Sequence, residues 1–245
     1  MLARRGELLQ PLSDEFPNQV FCYPHDVRDA AAMQHAAHDF MSRVGCPDIV
    51  IANAGVSVGT LTEYAEDIES FQQLMDINVV GMVKTFQPFV AAMREAALSH
   101  NPSPQSSPAG GRGGKREKHF TLVGIASVAG FRGLPGASAY SASKAAAISY
   151  LESLRVELRA SGVKVVTICP GYIKTPMTIV NPYPMPFILE ADEAARRIAL
   201  AIQRQTAFAI IPWQMNLVGK VLKCLPNWLY DRLFVNAPHK PRVIG

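Results

Sequence analysis

Short, continuously apolar runs alternate along the chain with longer segments in which apolar residues recur every three or four positions. The first pattern is typical of buried strands and the second of amphipathic helices. Strands are predicted at 19–23, 48–52, 120–125, 163–168 and 207–211, and helices at 29–44, 68–97, 139–159 and 192–203. Because helices separate strands that lack polar alternation, the sheet should be parallel and covered on both faces. The pattern predicts an α/β fold with a doubly wound parallel sheet, formed as one domain by residues 1–245.

Two segments depart from this alternation. Residues 99–118 are rich in proline, glycine and serine, which predicts a low-complexity surface loop. Its cations lack interleaved aromatic residues, so nucleic-acid binding is not indicated. Arg116 follows Lys115 where a phosphate-binding loop needs Ser or Thr, so phosphate binding is not indicated either.

Residues 213–235 are apolar with interspersed cations and predict a helical C-terminal extension. It would contact the substrate pocket, a second subunit or, with less support, a membrane surface.

Composition narrows the class of protein. Of the 245 residues, 49% are hydrophobic and 18% are charged, which excludes a disordered chain, and a net charge of +4 is too small to imply a nucleic-acid partner. The cysteines are far apart and the histidines have no convergent partners, so we expect reduced thiols and no metal site. The chain start lacks the apolar stretch of a signal peptide, and no apolar run is long enough to span a bilayer. A cytoplasmic location is therefore predicted.

Tyr140 and Lys144 form the pair with the clearest chemical meaning. They are four residues apart at the start of a predicted helix, which places both side chains on one helix face. A phenol has a reference pKa of about 10, and an ammonium one turn away would lower this pKa by charge attraction. Ser127 follows the predicted strand 120–125, at the strand end where open α/β sheets bind ligands. Its hydroxyl is expected to bond a substrate carbonyl oxygen.

Around these residues the chain resembles the short-chain dehydrogenase/reductase family over most of its length. Ser127 lies 13 residues before Tyr140, which is the family's usual interval. A Tyr and a Lys at this spacing are a weak signal alone, but further family motifs occur in the family's order. These motifs are Asp26-Val27, Asn53-Ala54-Gly55, Asn78 and Pro170-Gly171-Tyr172-Ile173-Lys174-Thr175.

The resemblance implies a Rossmann-like fold that binds a nicotinamide coenzyme and exchanges hydride with a carbonyl or alcohol substrate. Tyr140 would transfer the proton, Lys144 would lower the pKa of Tyr140 and hold the ribose hydroxyls, and Ser127 would polarise the carbonyl. Asn78 would position a water molecule in a proton relay. The other residues implied to bind the coenzyme are Asp26, Val27, Asn53, Ala54, Gly55, Pro170, Gly171, Ile173 and Thr175.

Each of these residues also has an ordinary structural explanation. Ser127 would serve as a turn residue after a strand, Asn78 as an amide inside a helix and Thr175 as a helix cap. Gly55 and Gly171 would simply permit tight turns. Taken together, in the right order and on the right elements, the motifs favour the enzyme site.

The opening segment of the family is not found in the sequence. In the family, a strand, a Gly-rich loop and a helix come first, whereas Met1 falls near the end of the family's second strand. About thirty residues, most of one βαβ unit, are therefore expected to be absent. We expect a start further upstream. The alternative is a truncated, catalytically inactive member that acts as a binding or interaction protein.

Arg4 and Arg5 bear on the choice of coenzyme. In the family, an acidic residue at the end of the second strand binds the ribose 2′-hydroxyl of NAD, and the matching position is Ala3, followed by the two arginines. Guanidinium groups bind a phosphate bidentately, so NADP is expected over NAD. The alternative is a solvated pair of cations at a chain end.

Residues 176–189 take the place of the family's substrate lid. Their apolar side chains, among them Met177, Tyr183, Met185 and Phe187, predict a substrate with an apolar body. Packing of these residues onto the sheet would explain them equally well. We expect a small-molecule carbonyl or alcohol substrate and a homo-oligomeric enzyme.

Overall fold

The computed structural model describes residues 1–100, 119–179, 181 and 183–242. Four strands form the sheet, namely β1 (Ile49–Ala52), β2 (Phe120–Ile125), β3 (Val163–Pro170) and β4 (Phe208–Ile211). The α-helices are α1 (Gln10–Glu15), α2 (Ala30–Val44), α3 (Asp67–Met75), α4 (Gly81–His100), α5 (Ser138–Glu157), α6 (Pro176–Ile179), α7 (Ala191–Gln203), α8 (Gln214–Cys224) and α9 (Asn227–Phe234). Short 3₁₀ turns lie at Gly6–Leu8, Val128–Gly130 and Arg159–Ser161.

The sheet is parallel and has the strand order β1-β2-β3-β4. On one face, Phe86 of α4 and Leu151 of α5 share a buried cluster with Leu122 of β2. On the other face, Ile202 of α7 shares a second cluster with Val123 of β2. Helices on both faces of a parallel sheet confirm the predicted doubly wound α/β fold.

The predicted strand at 19–23 is wrong. Tyr23 forms only an isolated parallel bridge with Leu2, in which the Tyr23 N–H donates to Met1 O over 2.8 Å and the Ala3 N–H donates to Tyr23 O over 3.2 Å. A strand needs a ladder of hydrogen bonds to a neighbour, and the first residues of the chain supply only this short partner. An apolar run alone therefore does not make this segment a strand.

The expectation that every strand is covered on both faces is also wrong for β1. Val50 and Ala52 are buried beneath the helices of the first face, but Ile49 and Ile51 point to the second face and are each 48% exposed. α7 packs against β4, at the other end of the sheet, and does not reach β1. Coverage thus depends on where the helices lie along the sheet, which the apolar pattern does not specify.

The long helix predicted at 68–97 is present, but it is built from three parts. α3 continues into a π-helical turn at Asp76–Val80 and then into α4. α4 extends to His100, two residues into the predicted loop 99–118, because Ser99 and His100 bond the carbonyl oxygens of the preceding turn. The remainder of that predicted loop, residues 101–118, lies outside the described residues.

The predicted extension at 213–235 is helical and forms α8 and α9. Gly219 of α8 lies against the Phe131 ring so closely that a Cβ there would be 2.3 Å from a ring carbon. α8 therefore packs beside the carboxyl end of β2, while Trp213 and Leu217 on its outer side are exposed. Within the described ranges, no helix is long and apolar enough to cross a membrane.

Candidate active site

The carboxyl ends of β1, β2 and β3 meet at one edge of the sheet, because all three strands are parallel. The chain leaves β1 through residues 53–57, β2 through residues 126–130 and β3 through residues 171–175. α5 begins beside these segments and carries both Tyr140 and Lys144. The fold therefore brings the predicted catalytic residues to the edge where open α/β sheets bind ligands.

Lys144 is buried beneath this edge. Its ammonium donates a hydrogen bond to the carbonyl oxygen of Ile125 over 3.0 Å, and its Nζ lies 5.8 Å from the centroid of the Tyr140 ring. The spacing of four residues on α5 produces this arrangement, as predicted.

Ser127 reaches Tyr140 because the turn that carries it lies directly on α5. Gly130 permits this contact, since a Cβ there would be 2.6 Å from the carbonyl carbon of Lys144. The Ser127 hydroxyl accepts a hydrogen bond from the Ala129 N–H over 3.2 Å, donates one to Pro170 O over 3.5 Å, and lies near enough to the Tyr140 phenol to lower its pKa. Serine and tyrosine hydroxyls thus meet at one point of the site.

Burial controls the acidity of both ionisable groups on α5. Burial raises the pKa of Tyr140, and the hydrogen bond with Ser127 opposes this rise only in part. Burial also lowers the pKa of Lys144 to about 8. The sequence predicts that Lys144 lowers the Tyr140 pKa, whereas in the structure the phenol remains less acidic than a free tyrosine because desolvation is the largest effect.

Asn78 joins the segment after β1 to α5. Its Oδ1 accepts from the Val56 N–H over 2.8 Å, and its Nδ2 donates to Val56 O over 3.0 Å and to the Ser143 hydroxyl over 2.9 Å. The side chain is completely buried at the π-helical turn, an irregularity that is frequent at functional sites. The described contacts of the Asn78 amide are structural, and its role in a proton relay stays a prediction.

A cavity of about 400 Å³ brings together several of the residues that the sequence assigned to coenzyme binding. We call it the arginine cavity. Its walls include Arg4, Arg5, Asp26, Val27, Asn53, Ala54 and Gly55. Both arginines are exposed to it, and Asp26 forms an ion pair of 2.8 Å with Arg28, whose hydrogen bond lowers the Asp26 pKa.

A second cavity, of about 280 Å³, is lined by Ser127 and Tyr140, and we call it the tyrosine cavity. Its other walls are largely apolar and come from the segment after β3 and from α8, including Met177, Tyr183 and Met215. Of the apolar residues predicted to face the substrate, Met177 and Tyr183 line this cavity. Met185 and Phe187 do not, and Phe187 is 49% exposed at a turn.

Gly55 and Lys144 lie where the two cavities approach each other. A Cβ at Gly55, in the wall of the arginine cavity, would be 3.3 Å from Asn78 Oδ1 and 3.5 Å from Lys144 Nζ. A side chain at residue 55 would therefore touch the ammonium at ordinary contact distance and would press slightly on the Asn78 amide. The arginine cavity offers guanidinium groups, and the tyrosine cavity offers hydroxyl groups with a buried ammonium behind them. These donors fit a phosphate-bearing dinucleotide.

The residues predicted after β3 are only partly in these walls. Gly171 lines the tyrosine cavity, and a Cβ there would be 2.7 Å from Met215 Cγ. Pro170 ends β3. Ile173 bridges Leu189 and Thr175 bonds Thr178, and neither belongs to the described walls of the two cavities. Their contact with a coenzyme stays a prediction.

The sequence analysis missed three residues of the site. Ser143 holds Asn78, Arg28 binds Asp26, and Lys240 lines the tyrosine cavity. Arg28 lies only two residues from Asp26, so a local charge pair was a usable signal, whereas Lys240 carries no local signal at all. Among the described residues, no group of three or more His, Cys, Asp or Glu side chains is placed to hold a metal ion.

The chain is similar to known proteins in both sequence and fold. The model of the short chain dehydrogenase family matches residues 1–100 and 115–182. A Myxococcus xanthus protein described as an uncharacterized oxidoreductase is 36% identical over 206 residues, which are 84% of this chain and 73% of that protein. A Sphingomonas 2-dehydro-3-deoxy-L-rhamnonate dehydrogenase (NAD(+)) is 35% identical over 62% of this chain. The matched region spans only 53% of the Sphingomonas protein.

Solved structures share the fold at low sequence identity. A short chain dehydrogenase from Burkholderia cenocepacia in complex with NADP has a TM-score of 0.73 and 23% identity, covering 95% of this chain and 84% of that chain. A 3-ketoacyl-(acyl-carrier-protein) reductase from Brucella melitensis complexed with NADH has a TM-score of 0.70 and 20% identity, covering 85% of this chain and 83% of that chain. Together with the family model, these likenesses show that the chain belongs to the short-chain dehydrogenase/reductase family of oxidoreductases.

Proposed function

We propose that this protein is an NADP-dependent oxidoreductase that interconverts a carbonyl and an alcohol on a substrate with an apolar body. The observation that carries the proposal is that the Ser127 and Tyr140 side chains share the wall of one apolar cavity, with the Lys144 ammonium buried behind them. When bound, the nicotinamide coenzyme supplies or takes up the hydride. The residues of the chain bind the reactants and handle the proton.

Tyr140 acts as the acid when a carbonyl is reduced. Because burial raises its pKa, the phenol carries its proton at neutral pH and can give it to the carbonyl oxygen. Ser127 donates a hydrogen bond to the same oxygen and so stabilises the negative charge that develops on it. Lys144 holds a positive charge behind the phenol and favours the phenolate that remains.

Arg4 and Arg5 support NADP as the coenzyme. Both are exposed in the arginine cavity, where their guanidinium groups suit a 2′-phosphate. The relatives do not distinguish the coenzymes, because one is named for NAD(+) and the solved structures hold NADP or NADH. The preference therefore depends on these two residues.

The walls of the tyrosine cavity support an apolar substrate body. Met177 and Tyr183 line it from the segment after β3, and Met215 lines it from α8. We further propose that the protein works as a homo-oligomer in the cytoplasm. Support for an oligomer comes from two exposed apolar residues, Trp213 just before α8 and Leu217 on α8, and support for the cytoplasm comes from four cysteines that form no disulfide bond.

Replacing Tyr140 by phenylalanine tests the reaction. Tyr140→Phe removes the transferable proton and should lower kcat by about 100-fold or more in a panel of aldehydes and ketones with NADPH. Tyr150→Phe is the matched control, because Tyr150 lies on the same helix and packs against the core away from both cavities. Equal activity of Tyr140→Phe and the control would contradict the role of Tyr140, whereas wild-type protein without turnover on the whole panel would favour the alternative, a binding protein.

Replacing Arg4 and Arg5 by alanine tests which coenzyme the protein prefers. Arg4→Ala together with Arg5→Ala should lower the ratio of kcat/KM with NADPH to kcat/KM with NADH by about tenfold or more, because charged contacts to the 2′-phosphate are lost. Arg43→Ala is the control, since Arg43 pairs with Asp39 at the end of α2 and lines neither described cavity. A wild-type preference for NADH would contradict the assignment.

A further inference from the structure

Residues 236–242, which we call the C-terminal tail, return to the active site after α9. The Gly59 N–H donates to the carbonyl oxygen of Pro241 over 2.7 Å. Arg242 forms ion pairs of 2.9 Å with Asp67 and 2.9 Å with Glu66 at the start of α3. The tail is thus fastened to the segment after β1, on the side where the tyrosine cavity lies.

Two glycines in the body of the protein make room for the tail. A Cβ at Gly59 would lie 2.1 Å from the carbonyl oxygen of Lys240, and a Cβ at Gly136 would lie 2.6 Å from the side chain of His239. Gly136 also has a φ of +69°, a backbone conformation that other residues rarely adopt. Two separate loops are therefore shaped for this contact, so the tail is part of the active-site wall.

The anchor of the tail is a charge pair between the partly exposed Arg242 and a buried carboxylate. Asp67 is only 6% exposed, and it accepts hydrogen bonds from the Arg242 guanidinium and from the Leu61 N–H. The Arg242 guanidinium also lies 3.6 Å from the centroid of the Tyr64 ring. The hydrogen bond from Arg242 is the largest influence that lowers the Asp67 pKa, so this anchor is charged at neutral pH.

Between these anchors, Lys240 places its ammonium in the tyrosine cavity. Nζ donates to the Ser57 hydroxyl over 2.8 Å and lies 5.8 Å from the centroid of the Tyr140 ring. Lys240 is the one charged residue among the described residues that line this cavity, and no described carboxylate lies within 4.0 Å of it. Burial lowers its pKa. A partly buried ammonium whose described partner is one hydroxyl is costly unless an anion binds there.

We propose that Lys240 is a specificity residue that binds the carboxylate of the substrate, so that the enzyme selects apolar carbonyl compounds that carry a carboxylate away from the reacting carbon. This inference rests on the proposed function, because it names the substrate class of the same site. A carboxylate fits better than a phosphate monoester, which carries nearly two negative charges where the described wall offers one positive charge.

Two aldehydes that differ only in charge test the proposal by turnover with NADPH: 4-formylbenzoate and its methyl ester. Wild-type protein should show the higher kcat/KM with the carboxylate. Lys240→Met keeps the length and removes the charge, and it should lower kcat/KM for 4-formylbenzoate by about tenfold to 100-fold, chiefly through KM, with little change for the ester. Lys240→Arg should keep most of the preference. Equal losses on both aldehydes would overturn the proposal, because they would mean a general effect on Tyr140.

A binding measurement tests carboxylate binding by Lys240 without depending on the proposed reaction. Calorimetric titration with 4-ethylbenzoate and 4-ethylbenzamide requires no turnover, so it remains valid even if Tyr140→Phe shows the proposed reaction to be wrong. Wild-type protein should bind the benzoate about tenfold more tightly than the amide, and Lys240→Met should bind both alike. Equal binding of the two by wild-type protein would overturn the inference.

Gly59→Ala tests whether the tail delivers the charge. The added methyl group would collide with the Lys240 backbone and displace the tail while every side chain of the tail is kept. This variant should lose the preference for 4-ethylbenzoate as Lys240→Met does. If Gly59→Ala kept the full preference, the tail would not be the source of the selectivity.

Discussion

Lys144 links the acidity of the site to the stability of the protein. Its ammonium is buried with one described hydrogen bond, to Ile125 O, and burial lowers its pKa to about 8 from a normal value of 10.5. A group with a lowered pKa in the folded state releases its proton at a lower pH than in the unfolded state. Between these two pKa values the unfolded chain binds more protons, so stability rises with pH.

The contribution of Lys144 to the free energy of unfolding should therefore rise as the pH rises from about 8 to 9.5. Lys144→Met removes the titrating group, so its free energy of unfolding should rise less over the same interval, by on the order of 1 to 2 kcal/mol. Urea denaturation followed by circular dichroism at several pH values measures this difference. Parallel pH curves for the two proteins would show that burial does not shift the Lys144 pKa.

At this scale, the sequence predicted the placement of side chains that depends on local spacing. Tyr140 and Lys144 share a helix face because they are four residues apart, and Ser127 joins them because it follows a strand. The high pKa of Tyr140 was not predictable, because it depends on how deeply the fold buries the phenol. Lys240 was not predictable either, since only the folded tail brings it to the phenol.

The contact between β2 and α5 depends on one glycine. A Cβ at Gly124 would lie 2.4 Å from a methyl carbon of Leu151, which is completely buried. α5 can therefore approach the strand closely, and this approach holds Tyr140 and Lys144 at the strand end. The same sheet edge carries Ser127, two residues beyond β2.

Gly124→Ala should lower the free energy of unfolding by about 1 to 3 kcal/mol, because the added methyl group overpacks this contact. Leu151→Ala alone should cost about 2 to 5 kcal/mol through the cavity it leaves. In the double variant the new methyl group occupies part of that cavity, so the combined cost should be smaller than the sum. Urea denaturation of the wild type, both single variants and the double variant measures these free energies of unfolding. Strictly additive costs would contradict the described packing.

Elements with a strong repeating pattern were predictable, and irregular ones were not. The strand at 120–125 has the predicted bounds, and the long helix at 68–97 was found apart from its π-helical turn. That turn coincides with the tertiary hydrogen bonds of Asn78 to Val56 and Ser143, which leave no local pattern. Short loops that hold the site are specified by such contacts between distant parts of the chain.

At the scale of the whole molecule, the alternation of strands and helices was enough to predict the α/β fold. It was not enough to predict which segments pair with a neighbouring strand. The segment 19–23 is as apolar as a strand, but its described bridge is to Leu2, and β1 is buried on one face instead of two. Pairing and coverage depend on the three-dimensional order of elements, so a one-dimensional pattern cannot fix them.

The exposed side of β1 has a practical consequence. β1 is one of the two outer strands of the described sheet, and Ile49 and Ile51 present apolar surface beside its backbone edge. Such an edge is a template on which strands of other molecules can add, and it carries neither the lysine nor the proline that usually blocks this growth. Within the described residues, the outer side of Ile49–Ala52 is thus open to one more strand, whether that strand comes from the same polypeptide or from another molecule.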